Sequence, residues 1–206
     1  MNILALDSST SVASVAFVSV DGSSSDIRFL CNTPHHRSDS SALFTGLQAA
    51  VAAGGIPDAV CVGLGPGSYN GLRAGIATAR AFATALEIPL HALPSPLALQ
   101  APASTFWAIG DARGGHYWIA CIQDGTFLEE PRLILPSEIT LHFQTRPDLL
   151  ILASAPLPEI DLLLATPCAA QLAILAKNKD AIAGTPEPLY LKPPHITPSR
   201  KLSPGI

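Results

Sequence analysis

Over positions 1–32 the apolar residues come in short dense runs divided by small polar turns, which is strand patterning. Asn2–Asp7 (NILALD) is followed by a polar SSTS turn and then Val12–Val20 (VASVAFVSV), so the pair predicts a β-hairpin. Ile27–Asn32 predicts a third strand after the Asp21-Gly22 turn. The period then lengthens: within Arg37–Ala53, Leu43, Phe44, Leu47, Ala50 and Val51 share one helical face. Gly54-Gly55 and Pro57 stop that helix. DAVCVGLG (58–65) predicts a buried strand, Gly71–Leu86 a helix and Pro89–Leu93 a short extended piece.

The pattern then restarts. FWAIGDARGGHYWIACIQDG (106–125) repeats a strand, an Asp, a polar turn, a second strand and an Asp-Gly. Asp7 precedes Asp21-Gly22 by 14 residues, and Asp111 precedes Asp124-Gly125 by 13. PRLILP (131–136) is the third strand of this half, SEITLHFQ (137–144) a short helix, Asp148–Ser154 a strand and PCAAQLAILAKN (167–178) a helix. Self-similarity at this period points to duplication. The predicted fold class is α/β, two RNase H-like lobes of mixed sheet with helices. The first lobe is expected at 1–100 and a smaller second at 101–192, with the boundary near Pro94–Thr105. In the Pro-rich tail an early part is expected to dock as an extended strand, and 193–206 to be mobile.

Composition narrows the classes. With 48% apolar and 14% charged residues the 206-residue chain can bury a substantial core. A formal charge of −4 argues against binding nucleic acid unaided, although a local basic patch stays open. The four cysteines, Cys31, Cys61, Cys121 and Cys168, lack metal or redox spacing and read as small buried hydrophobes. The amino terminus has no signal-peptide pattern and no run is long enough to span a membrane, so a cytoplasmic protein is expected.

GLGPGSYNGLRAGIATARAFA (63–83) carries the main candidate chemistry. It lacks the lysine of a Walker A loop and the spacing of a dinucleotide fingerprint, yet glycines between a strand and a helix can cradle an anion. The alternative is a turn needing unusual backbone angles. Asp7 and Asp111 each end a first strand, where they either hold Mg²⁺ through water or close an Asx-turn. Asp7, Ser9, Gly65, Gly67 and Asp111 are therefore the candidate nucleotide or phosphate contacts. His35 and Asp39 lie one turn apart but lack a third metal ligand. Gly71, Ala74, Gly75, Thr78, Ala79, Phe82 and Ala85 form a stripe of mostly small residues that packs within the lobe or against a partner.

ILALDSSTSVASVAFV, the block from Gly63 to Gln100, AIGDARGGHYW and PLYLK occur in that order from Asn2 to Lys192. On these motifs the chain resembles the bacterial TsaB (YeaZ-type) family, non-catalytic paralogues in the glycoprotease superfamily. The resemblance implies an actin/Hsp70/sugar-kinase (ASKHA) fold. It implies pairing with a TsaD-type catalytic subunit, as a heterodimer that works with a TsaE-type ATPase and meets tRNA through the complex. The product is N6-threonylcarbamoyladenosine (t6A) at adenosine 37 of tRNAs reading ANN codons. The catalytic relative's His-x-x-x-His metal pair is broken here, since His36 is followed by Ser40 and His35 by Asp39, so no enzyme activity is expected. No cofactor of its own is implied; ATP or ADP and Mg²⁺ belong to the assembled complex. By the resemblance, Arg37–Ala53 and Gly71–Leu86 build the interface, with Leu43, Leu47, Val51, Gly71, Ala74, Gly75, Thr78, Ala79 and Phe82 as contacts. Homodimerisation through the same helices is expected when the partner is absent. The alternative function is an autonomous ASKHA-type phosphotransferase or nucleotide-binding protein.

Overall fold

The computed structural model describes residues 1–34 and 41–192. Strands β1 (Asn2–Asp7), β2 (Val12–Asp21) and β3 (Ser24–Pro34) form an antiparallel meander. Helix α1 (Ser41–Gly54) leads to β4 (Ala59–Gly63), and α2 (Tyr69–Leu86) to β5 (Leu90–Leu93); both strands add parallel to β1. The sheet order is β3-β2-β1-β4-β5.

A 3₁₀ turn at Ser95–Ala98 opens the second half. Here β6 (Thr105–Asp111), β7 (Tyr117–Gln123) and β8 (Thr126–Ile134) form the meander, and β9 (Leu150–Ala153) and β10 (Leu163–Leu164) add parallel to β6. The order β8-β7-β6-β9-β10 repeats the first sheet strand for strand. This is the duplicated α/β architecture expected from the repeat. α3 (Pro136–Phe143) takes the place of α1, started by Pro136 in its first turn and by a 3.0 Å bond from the Leu135 N–H to Glu138 Oε2. Among the described residues nothing helical joins β9 to β10, so α2 has no counterpart.

Two differences from the sequence expectation concern meander strands. β3 begins at Ser24 rather than Ile27 because the backbone ladder continues through polar residues, pairing Ser25 with Val20 and Asp26 with Ser19. Gly22, at φ +50, makes the tight turn this needs. β8 likewise starts at Thr126 rather than Pro131, and its alternating exposure shows an edge strand with one face inward.

Each face of the first sheet has its own core. On one side α1 and α2 bring Leu43, Leu47, Ala50, Ile76 and Ala79 against Leu4, Leu6, Val15, Phe17 and Val62. The other face is covered by α4 (Ala169–Ala176), although this helix follows the second sheet in the chain. Leu172, Ala173 and Ala176 bury against Ile3, Ala5, Ala16, Val18 and Cys61. The Ala169 N–H donates to the buried Ser14 Oγ at 2.8 Å, fixing the start of the helix on β2. Leu175 also packs with Phe106, Ala108 and Ile122 of the second sheet, so α4 lies between the two halves.

Candidate functional site

The glycine turn is shaped by what lies against it. A Cβ on Gly63 would overlap Asp7 Oδ2, one on Gly67 the Ser9 carbonyl, one on Gly71 the Ser8 carbonyl, and one on Gly75 the Ser8 hydroxyl. The β1–β2 turn therefore sits directly on the loop and on the first turns of α2. Two hydrogen bonds hold it there, and a third ties the glycine loop to the 3₁₀ turn at Ser95. Ser68 N–H donates to the Ser9 carbonyl at 2.7 Å, Ser8 Oγ to the Gly71 carbonyl at 2.8 Å, and Gly65 N–H to Ser95 Oγ at 2.9 Å. Ser68 also caps α2, accepting from Gly71 N–H at 3.4 Å. The N–H groups of Gly65 and Ser68 are thus spent inside the protein rather than turned toward an anion. Gly65 itself adopts φ +84, where a side chain would be strained.

Asp7 and Asp111 both close Asx-turns, another trace of the duplication. Asp7 Oδ1 accepts from Ser9 N–H at 2.9 Å and from Ser9 Oγ at 2.6 Å; Asp111 Oδ1 accepts from Arg113 N–H at 2.7 Å. Their surroundings differ sharply. Asp111 is exposed and ion-paired with Arg113 at 3.5 Å. Asp7 is 1% exposed, and its Oδ2 is buried without a hydrogen bond. Burial pushes the Asp7 carboxyl above the ordinary carboxylate range, against the opposing pull of the Ser9 hydroxyl, the nearby Ser95 hydroxyl and the Ser9 N–H. The same burial, with Asp7 as neighbour, pushes the Cys61 thiol up. An open Mg²⁺-binding carboxylate at position 7 does not match this geometry.

The raised pKa has a signed consequence. Asp7 binds its proton more tightly folded than unfolded, so its contribution to stability is fullest below about pH 4 and is lost as pH rises from there through the folded value. Asp7→Asn should therefore gain on the wild type as pH is raised from about 4, the unfolded reference, to neutrality. Urea unfolding at both pH values measures this. A stability difference independent of pH would show that Asp7 binds its proton equally in the folded and unfolded chain.

The small-residue stripe is explained within the molecule. Leu43, Leu47, Gly75 and Ala79, expected as partner contacts, are buried against the chain's own first sheet and turn. Gly71 and Gly75 are small because Ser8 occupies the adjoining space. Val51, Ala74, Thr78 and Phe82 lie half-buried at the margins, and Gly71 beside the turn. The outward face is mostly a different set: Phe44, Gln48, Ala49 and Ala52 on α1, and Ala77, Ala81 and, from the stripe, Ala85 on α2. Phe44 is 51% exposed. Two helices backed by a core thus present a layer of mostly small side chains, with Arg73 and Arg80 exposed on α2 beside Ala77 and Ala81. Residues His35, His36, Asp39 and Ser40, and the tail expected to be mobile, lie outside the described residues.

One group was missed in the candidate set. The segment after α4 returns to the first sheet, where Ile182 N–H donates to the Leu90 carbonyl at 2.9 Å and Leu189 N–H to the Leu64 carbonyl at 2.8 Å. It docks without forming a regular strand, and sets the Tyr190 ring on Tyr69. PLYLK was the available sequence signal. Among the described residues there is no cluster of three or more His, Cys, Asp or Glu side chains able to hold a metal, and no helix long and apolar enough to cross a membrane.

Comparison with known proteins agrees with this architecture. The chain has the fold of two solved structures: an uncharacterized protein with similarity to peptidase YEAZ from Pseudomonas aeruginosa, and YeaZ from Pseudomonas aeruginosa. The first is 21% identical with a TM-score of 0.73, covering 93% of this chain and 99% of that one. The second is 22% identical with a TM-score of 0.68, covering 85% and 90%. Residues 37–113, from the segment preceding α1 to the β6–β7 turn, match the family model of TsaD, tRNA N6-adenosine threonylcarbamoyltransferase. An uncharacterized protein of Mycobacterium leprae is 29% identical over 143 residues, 66% of this chain; the chain spans 40% of that relative's length. These likenesses are consistent with the YeaZ-type resemblance drawn from the sequence motifs.

Proposed function

We propose that this chain is a non-catalytic scaffold subunit that pairs with a TsaD-type catalytic paralogue in t6A formation on tRNA. The observation carrying the proposal is the outward face of α1 and α2. It is a layer of mostly small side chains around Ala49, Ala77 and Ala81, backed by its own core, with Phe44 on α1 and Arg73 and Arg80 on α2 exposed beside them, against which another pair of helices can pack. The family-model match over residues 37–113 includes both helices and supports the choice of a paralogous partner. A TsaE-type ATPase and tRNA join through the complex, and ATP or ADP with Mg²⁺ is bound there rather than by this chain alone. The internal use of the loop N–H groups and the burial of Asp7 favour this over an autonomous phosphotransferase.

Light scattering after gel filtration tests the pairing. The protein mixed with a TsaD-type subunit from the same source should elute at the mass of a one-to-one pair. Separate elution at every concentration, with and without ATP, would overturn the reading.

A further inference from the structure

Arg73, Tyr69 and Tyr190 touch side chain to side chain, and Lys192, two residues after Tyr190, links the same surface to the β6–β7 turn at the Arg113 carbonyl. Arg73 Nη1 donates to the Tyr69 hydroxyl at 2.9 Å, and its guanidinium lies over the same ring, 5.3 Å from the centroid. Tyr69 stacks on Tyr190 at 5.3 Å and 24°. Two residues further on, Lys192 Nζ donates to the Arg113 carbonyl at 2.7 Å, carrying the path onto the second half of the molecule. Tyr69 and Tyr190 remain 42% exposed, and the Arg113 side chain 70%. Asp111 opposes the cations through its 3.5 Å contact with Arg113. α2 contributes Arg73 and Arg80 and no acid. In a chain of formal charge −4, three cations strung along two stacked tyrosines are a local inversion of the overall charge.

We propose that this path is a contact surface for single-stranded RNA, with Arg73, Arg113 and Lys192 taking phosphates and the tyrosine pair taking a base. The choice of RNA rests on the function proposed above; the surface itself rests on the contacts. Exposed aromatic rings interleaved with cations are the chemistry by which single strands are held without sequence readout. Cationic side chains alone would serve an acidic protein equally well, but the stacked rings between them favour a base. Burial pushes the Tyr190 hydroxyl up, so it stays neutral and adds no opposing charge.

The test is fluorescence anisotropy with a short labelled single-stranded RNA of mixed sequence and the isolated full chain. Binding should be detectable at low salt. With about three phosphates contacted, a fourfold rise in salt should weaken it about twentyfold. The double variant Arg73→Glu, Arg113→Glu should lose at least about tenfold, and Tyr190→Ala about tenfold. Lys192→Gln, a milder surface change, should lose less. Arg28→Glu, a reversal on the exposed face of β3, should bind as wild type. Absence of binding at low salt, wild-type binding by the patch variants, or an equal loss in Arg28→Glu would each overturn the proposal. So would patch variants that keep RNA binding but no longer pair with the TsaD-type subunit, since the path would then be a protein interface. RNA binding lost with the patch, in a protein that forms no pair, would sink the pairing while leaving this surface standing.

Discussion

Leu172→Ala is expected to lower the unfolding free energy by about 3–5 kcal/mol, a large fraction of what a chain of this size has. Leu172 is fully buried in α4, against the first sheet's Ile3, Ala5 and Val18. Its neighbours are strands on one side and small alanines on the other, so little is available to collapse into the space left. The location makes the effect distinctive. α4 belongs to the second half by sequence, covers the first sheet, and reaches the second sheet through Leu175. Loosening it should therefore lower one common transition, seen alike by tryptophan fluorescence, which reports Trp107 and Trp118 in the second half, and by far-UV circular dichroism. Loss below about 1 kcal/mol would mean α4 does not seal the first sheet. Two separated transitions in the wild type would mean the halves fold independently of it.

This helix also shows where sequence patterning stops. The dense apolar runs of β1 and β2, the long period of α1 and α2, and the second Asp and Asp-Gly made the duplicated order legible, because each depends on residues near one another in the chain. PCAAQLAILAKN identifies a helix equally well, but it is apolar on most sides, so its periodicity names no single face. Which sheet it covers is a tertiary fact. The start of β3 was hidden for another reason: SSSD looks like loop chemistry, and only backbone pairing with β2 extends the ladder through it.

The candidate site divides in the same way. The glycines were legible as positions needing close approach, but not what approaches. Ser8 and Ser9, far away in sequence, are the cause. Asp7 and Asp111 were legible as a repeated pair; that one is buried and the other exposed depends on Gly63 and Ser95 closing around the first. The stripe from Gly71 to Phe82 was ambiguous between sheet and partner because a small side chain permits close packing on either. PLYLK marked the segment of Tyr190 but not its neighbour, since Tyr69 is far away in sequence and the two rings meet only where the segment returns.

The orientation of α2 yields the sharpest functional expectation. Ala79 and Ala81 lie two residues apart on one helix, hence on different faces. Ala79 is fully buried beneath the helix, among side chains such as Ile76 and Val62, whereas Ala81 faces outward. Ala79→Trp should place an indole in a filled core and unfold the first half, or cost several kcal/mol, roughly the upper range for overpacking. It says nothing about a partner. Ala81→Trp should leave the melting temperature within a few degrees of wild type, since its side chain enters solvent. If α1 and α2 dock on a second pair of helices, the same indole falls where two small surfaces must meet at about 8–10 Å between axes. Pairing with the TsaD-type subunit should then fall by at least about a hundredfold, a loss of roughly 3 kcal/mol in binding. Gel filtration with light scattering reads the pair, and a thermal melt reads the fold. A well-folded Ala81→Trp protein that still forms the one-to-one complex would remove this face from the interface. An Ala79→Trp protein as stable as wild type would show that α2 is turned the other way, with the small stripe outward after all.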